Sequence, residues 1–206
     1  MSLIIELRRL GVGSTPLIEN LQLDIPRGAI HTLMGPSGSG KSSLLAAVCG
    51  TLNPALVFEG SVTLDGHRID HLPTRERRVG LLFQDDLLFA HMTVRENLLF
   101  AVPGGVRAPR EAAVVQALAD LELPGFADAD PATLSSGQRA RVALMRALLA
   151  QPQALLLDEP FSKLDAALRG RIREFVFAVV RTRQVPVLLV THDVADVADE
   201  NRLTRL

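Results

Sequence analysis

The chain of 206 residues is long enough for one domain, or one domain with an inserted lobe, and can bury a sizeable core without disulfides or metals. Its charges nearly cancel, with 22 basic against 23 acidic side chains and a net charge of −1, which argues against a nucleic-acid binder with a basic face. With 48% hydrophobic residues disorder is excluded as a reading, and the sole cysteine, Cys49, rules out an intramolecular disulfide, reads as a small buried residue and fits a reducing compartment. No run approaches the roughly 18 apolar residues of a membrane span, and no basic segment followed by an apolar one marks a signal peptide.

In chain order, 4–7 and 17–25 read as strands, the second alternating Leu21, Leu23 and Ile25. Pro26-Arg27-Gly28 is a turn, 29–34 a short apolar strand, 35–40 a glycine-serine loop and 41–48 a helix. Residues 58–64 form a strand closed by the Asp65-Gly66 turn, and 79–83 a buried strand. Helices follow over 93–100 and 110–121. Thr93 is the expected N-cap of the first, with Glu96 completing a capping box. In 136–149, Ala140, Ala143, Leu144, Ala147 and Leu148 fall on one helix face. Residues 154–157 and 185–190 are continuous apolar strands, as a central parallel sheet requires. Between them, Leu168, Ile172, Phe175, Val176 and Val179 stripe a helix. The alternation predicts an α/β fold with a largely parallel sheet. Residues 85–149 break it and are expected to form an inserted helical subdomain.

Gly35-Pro36-Ser37-Gly38-Ser39-Gly40-Lys41-Ser42 matches G-x-x-x-x-G-K-[ST], after an apolar strand and before a helix. Glycines there let backbone N–H groups turn toward phosphate oxygens, and the helix start adds its dipole. Lys41 suits the β- and γ-phosphates and the Ser42 hydroxyl suits Mg²⁺. Lys41 and Lys163 are the only lysines in an otherwise all-arginine basic set, so both positions call for a chemical reason. Asp158 and Glu159 end the strand that starts at Ala154, where an open α/β sheet binds its ligand. Asp158 suits a contact to Mg²⁺, and Glu159 a base that polarises water. Leu134-Ser135-Ser136-Gly137-Gln138 opens the clearest helix and forms an anion-binding N-terminus. An ordinary serine cap explains Ser135 but not Gly137 with Gln138. His192 follows the strand over 185–190; a lone histidine there is more often structural than catalytic.

In these segments the chain resembles the ATP-binding subunit of an ABC transporter. The resemblance identifies 35–42 as Walker A, Gln84 as the Q-loop glutamine and 134–138 as the signature motif. It identifies 155–159 as Walker B with its glutamate, 162–165 as the D-loop and His192 as the switch histidine. It implies a P-loop, RecA-like core over 1–84 and 150–206 with an antiparallel β lobe, and a helical subdomain over 85–149. ATP is expected on Gly35, Pro36, Ser37, Gly38, Ser39, Gly40, Lys41, Ser42 and Ser43, and Mg²⁺ on Ser42, Gln84 and Asp158. Glu159, His192, Lys41 and Gln84 are the implied catalytic set. A second copy, head to tail, is expected to bring Ser135, Ser136, Gly137, Gln138 and Asp165 to the same ATP. The run 83–94 is similar to the importer type for small solutes. That implies a membrane permease, a solute-binding protein and a peripheral place on the cytoplasmic face of the membrane, with no nucleic acid as partner.

Four positions depart from the family pattern. Ser136 stands where glycine is usual, and Lys163 where a small residue is usual. The family usually stacks adenine on an aromatic ahead of Walker A, yet this chain has no Trp or Tyr, and its first Phe is Phe58. Counting back puts Val12 or a neighbour in that place. The chain is expected to end soon after one last strand over 201–206. Two alternatives stand beside transport. A non-transport ABC ATPase would carry a coiled-coil insertion or tandem copies, against the short spacing from Gln84 to Leu134. A regulatory module that holds nucleotide without hydrolysis would not need Glu159 and His192.

Overall fold

The computed structural model describes residues 2–206. In chain order its elements are β1 (Ser2–Val12), β2 (Thr15–Pro26), β3 (Ile30–Met34), α1 (Lys41–Cys49), β4 (Leu56–Leu64), β5 (His67–Arg68), α2 (Thr74–Arg77) and β6 (Val79–Leu82). There follow α3 (Val94–Ala101), α4 (Arg107–Asp120), α5 (Ser136–Leu149), β7 (Ala154–Asp158), α6 (Ala166–Arg183), β8 (Val187–Thr191) and β9 (Leu203–Arg205).

Two-residue alternation builds an antiparallel sheet of order β2-β1-β4-β5. Leu3, Ile5, Leu7 and Leu10 of β1 and Leu21, Leu23 and Ile25 of β2 turn to one buried face. The β1–β2 register shifts between Leu10 and Gly11. A Cβ at Gly11 would lie 2.2 Å from the Thr15 carbonyl oxygen, so only glycine permits this bulge beside the hairpin tip. Asp65 and Gly66 both take positive φ, 54° and 78°, which is the tight hairpin turn that the Asp-Gly pair predicts.

The second sheet is parallel throughout, in the order β6-β7-β8-β3-β9. β7 and β8 are buried on both faces, which explains their unbroken apolar sequence. Their side chains alternate between two cores. Ala154, Leu156, Leu188 and Val190 join α1 and the inner face of β1 and β2. Leu155, Leu157, Val187 and Leu189 join α3, α4, α5 and α6. Thus the parallel sheet lies between the antiparallel sheet with α1 on one side and the helices on the other.

Residues 85–149 contain α3, α4 and α5 and, among the described residues, no strand. Their apolar side chains merge with those of α6, β7 and β8 into one cluster. The apolar stripe of α6 is rotated from the expected one. Ile172, Val176, Phe177 and Val180 are buried, while Leu168, Phe175 and Val179 are only partly so, because the helix presents the i, i+4, i+8 ridge rather than a broad face. The short α2 has no apolar period to announce it. Its anchor is Arg77, whose guanidinium donates to the carbonyls of Ala47 at 2.7 Å and Val48 at 2.9 Å. A cation there meets the free carbonyls at the C-terminus of α1.

Candidate functional site

The loop 35–40 connects β3 to α1 at the end of the parallel sheet where β7 and β8 also finish. Gly40 precedes α1 with φ 89° and no side-chain cap, so the first-turn N–H groups face the loop. A Cβ on Gly40 would stand 3.0 Å from that of Leu17; both the backbone angle and the contact call for glycine. Lys41 is buried at 8% exposure. Its ammonium donates to the carbonyls of Gly35 at 2.8 Å and Pro36 at 2.6 Å, which holds a positive charge inside the loop. Together the amides, the helix dipole and this ammonium make an anion site.

Asp158 closes β7 opposite Val190, and Glu159 follows with φ 50°, a conformation an L side chain rarely adopts. Its N–H donates to the Val190 carbonyl at 3.0 Å. Glu159 Oε1 meets His192 Nδ1 at 2.7 Å. Its Oε2 is buried and has no hydrogen-bond partner among the described residues. Such backbone strain, held by a sheet bond, is typical of a functional position. Burial pushes the Asp158 carboxyl above the usual carboxylate range; the Ser42 hydroxyl opposes this, Glu159 adds to it, and Lys41 opposes it again. A carboxylate destabilised by burial beside a hydroxyl suits a contact to a divalent cation, and the orphaned oxygen of Glu159 leaves a place for a water.

These groups share one cleft of 490 Å³. It is lined by Ser37, Gly38, Gly40, Lys41, Ser42, Ser43, Gln84, Asp158, Glu159 and His192, with Leu17 and Ser162. Gly35, Pro36 and Ser39 belong to the same loop, where the first two supply the carbonyls that hold Lys41. Val12 does not line the cleft. It is half exposed and pairs with Thr15 at the hairpin tip, and the aliphatic side chain against the loop is Leu17 instead.

Ser135, Ser136, Gly137, Gln138 and Asp165 stand outside the cleft. Ser135 caps α5 in a capping box: its hydroxyl accepts from the Gln138 N–H at 3.2 Å, and Gln138 Oε1 accepts from the Ser135 N–H at 2.8 Å. Ser136 is exposed. Asp165 caps α6 by accepting from the Leu168 N–H at 3.0 Å. Within one chain, therefore, the α5 N-terminus is a capped helix start that stands apart from the cleft.

A second cavity, a groove of 410 Å³, opens between β6 and the helices α3 and α5. Leu87 and Phe89 line it, together with Phe83, Phe100 and Arg146. Phe83, Leu87 and Phe100 are exposed. Phe89 stacks edge-on with Phe100 at 5.0 Å, and the Arg146 guanidinium lies over its ring at 5.1 Å. Of the apolar run after Gln84, Leu88 instead packs on the core, and Met92 does not line the groove. Asn97 shapes the run. It is fully buried, accepts from the Phe89 N–H at 2.8 Å and donates to the carbonyls of Phe89, Met92 and Thr93. Sequence reading offered no signal for Asn97 or Arg146, because an Asn or Arg in a helix is usually solvated.

Residues 18–162 match the family model described as ABC transporter. The uncharacterised ABC transporter ATP-binding protein YnjD of Escherichia coli is 52% identical over 88% of this chain and 84% of its own length. The sulfate/thiosulfate import ATP-binding protein CysA of Synechocystis is 38% identical over 97% of this chain. The Fe(3+) ions import ATP-binding protein FbpC of E. coli is 40% identical over 88% of this chain. The chain spans 57% and 52% of the length of these two import proteins. Among solved structures, the dimeric ATP-binding cassette MJ0796 in a post-hydrolysis state with ADP and Pi superposes with a TM-score of 0.81. It is 29% identical and covers 94% of this chain and 89% of its own.

Proposed function

Because the chain belongs to the ABC transporter family and is an ATPase of that family, we propose that it drives solute import through a membrane permease, as a head-to-tail pair of copies that close on ATP. The observation that carries the hydrolytic reading is the 2.7 Å contact between Glu159 and His192 in the cleft of the phosphate loop. Phosphoryl transfer asks a protein mainly for positioning and charge. Here Lys41 and the loop amides take the triphosphate charge. Glu159, held by His192 through one oxygen, offers the other to a water and receives its proton. His192 remains 68% exposed on its ring, so it can also reach a terminal phosphate.

Ser42, Gln84 and Asp158 would hold Mg²⁺, which when bound neutralises phosphate charge and orients the β- and γ-oxygens. Among the described residues no cluster of three or more His, Cys, Asp or Glu could hold a metal alone; phosphate oxygens and waters complete such a site. The α5 N-terminus of the second copy, led by Ser135, would close on the γ-phosphate across the interface with Asp165 nearby. This reading gives the α5 N-terminus, which lies outside the cleft of its own chain, an anion to meet.

No helix among the described residues is long and apolar enough to cross a membrane. The proposed attachment is peripheral, on the cytoplasmic face, with a permease element seated in the groove lined by Leu87, Phe89 and Phe100. The import proteins among the relatives support a small-solute importer served by a solute-binding protein. Steady-state phosphate release by the purified subunit with Mg²⁺ and ATP tests the activity; release no higher than a protein-free blank overturns it. Co-purification with a co-expressed permease tests the transport role.

A further inference from the structure

Lys163 ties together three segments of one chain. It sits in the turn between β7 and α6, and its ammonium reaches Asp86 Oδ1 at 3.3 Å and Asp85 Oδ1 at 4.0 Å. Both aspartates follow directly after Gln84. The Asp86 side chain is only 13% exposed, and its second oxygen accepts from Arg139 Nε at 3.4 Å. Arg139 lies in the first turn of α5 and also donates to the Leu134 carbonyl at 2.6 Å. The backbone of Lys163 touches the same helix start: a Cβ on Gly137 would lie 3.3 Å from the Lys163 carbonyl oxygen. Finally, Lys163 and Asp86 line a small cavity with Gln84 and Glu159. One residue thus reaches the Gln84 loop through its side chain and the Ser135 helix through its backbone, beside the proposed base.

We infer that Lys163 is a positioning residue for hydrolysis, whose ion pair with Asp86 locks the loop carrying Gln84 to the turn carrying Ser162 and Asp165, so that a shift of either carries the other. The inference rests on the ATPase reading. Lys163 does not line the nucleotide cleft, so it acts on the catalytic step and not on ATP capture. The pair is partly solvated, with Lys163 31% exposed, so it is modest in strength and weakened by salt. That suits a contact which sets the relation of two loops in a fold that other contacts already hold.

The test uses the purified subunit as wild type, Lys163→Met, Lys163→Arg, Asp86→Asn and the Lys163→Met/Asp86→Asn double variant. Lys163→Met is expected to lower kcat about fivefold, the scale of one exposed ion pair, with KM for ATP changed less than about twofold. Lys163→Arg, which keeps the charge, restores the rate. On the Asp86→Asn background, Lys163→Met has no further effect. Hydrogen–deuterium exchange without nucleotide gives a second, activity-independent reading: residues 84–93 exchange faster in Lys163→Met and recover in Lys163→Arg. Unchanged exchange at 84–93, additive effects in the double variant, or a KM change as large as the kcat change overturns the inference. If the wild type hydrolyses no ATP, the ATPase reading fails, while the exchange experiment still decides whether Lys163 holds the loop.

Discussion

Glu159 is held in a left-handed backbone conformation by a sheet hydrogen bond on one side and by Ser162, whose hydroxyl donates to its carbonyl at 2.9 Å, on the other. Its carboxylate is thereby aimed into the cleft with one oxygen on His192. Glu159→Gln keeps shape and size but removes the base. It is expected to bind ATP as before and to slow turnover by roughly 10²-fold or more, so that an ATP-bound dimer accumulates. Phosphate release and the gel-filtration mass with ATP check this, and near wild-type turnover removes Glu159 from the role. The base side of the cleft makes a different prediction. Leu17 is the apolar side chain there, and no Trp or Tyr exists in the chain. Base–aromatic stacking is worth roughly 1–3 kcal/mol, and an aliphatic side chain recovers only part of it. Discrimination between ATP and GTP should stay under about tenfold in kcat/KM, which corresponds to about 1.4 kcal/mol. Side-by-side hydrolysis of the two nucleotides decides it, and a hundredfold preference for ATP means another group reads the base. Tightened ATP binding by Val12→Tyr would show that the half-exposed hairpin tip reaches the adenine; unchanged binding would leave Leu17 as the base contact.

At the scale of elements, two capping boxes set where the helices begin. Thr93 and Glu96 close α3, with the Thr93 N–H donating to Glu96 at 2.7 Å, and Ser135 and Gln138 close α5. Both are local, which is why the spacing Thr-x-x-Glu was enough to predict the first. The segment between Gln84 and α3 has no such local rule. Asn97 holds it: its Oδ1 accepts from the Phe89 N–H, and its amide NH2 is shared among the carbonyls of Phe89, Met92 and Thr93. Asn97→Ala would take these partners from the part-buried Phe89 N–H and Met92 carbonyl, whereas the Phe89 and Thr93 carbonyls keep the N–H groups of Met92 and residue 97; the expected cost is about 1–3 kcal/mol. Urea unfolding measures the loss; a change below about 0.5 kcal/mol would mean that the loop keeps its shape without Asn97. Because the same loop carries Gln84 and one wall of the groove, phosphate release should fall even at temperatures where the variant remains folded.

Across the whole molecule, the groove and the nucleotide cleft lie at the two ends of one short segment, with Gln84 in the cleft and Leu87 and Phe89 in the groove. Occupying one site can therefore bias the other through few intervening contacts. Phe100 is 65% exposed, so Phe100→Ser is expected to change stability by no more than about 1 kcal/mol and to leave phosphate release by the isolated subunit intact. Assembled with its permease, the variant should lose transport. Thermal unfolding and a vesicle uptake assay measure the two effects. Full transport would remove the groove from the docking role, and loss of folding would show that Phe100 serves packing instead.

Features encoded within a few residues are legible in the chain without its fold. The phosphate loop needs glycines beside a lysine, the central strands need apolar side chains on both faces, and the Asp65-Gly66 turn needs positive φ twice; each is a local demand with a local signature. The sequence also placed Glu159 and His192 at the ends of apolar strands, where an α/β sheet binds its ligand. Only the tertiary structure decided which residues meet across distance. Leu17 lines the cleft beside the loop, while Val12 stands half exposed at the hairpin tip. Asn97 and Arg146, which no sequence motif marks, meet the 87–89 segment through the Phe89 N–H, the Leu87 carbonyl and the Phe89 ring. Lys163 stood out by composition alone, but its partner 77 residues away, Asp86, was fixed by the packing of β6 beside β7. A register of that kind depends on pairing between strands, and no short-range pattern in the chain records it.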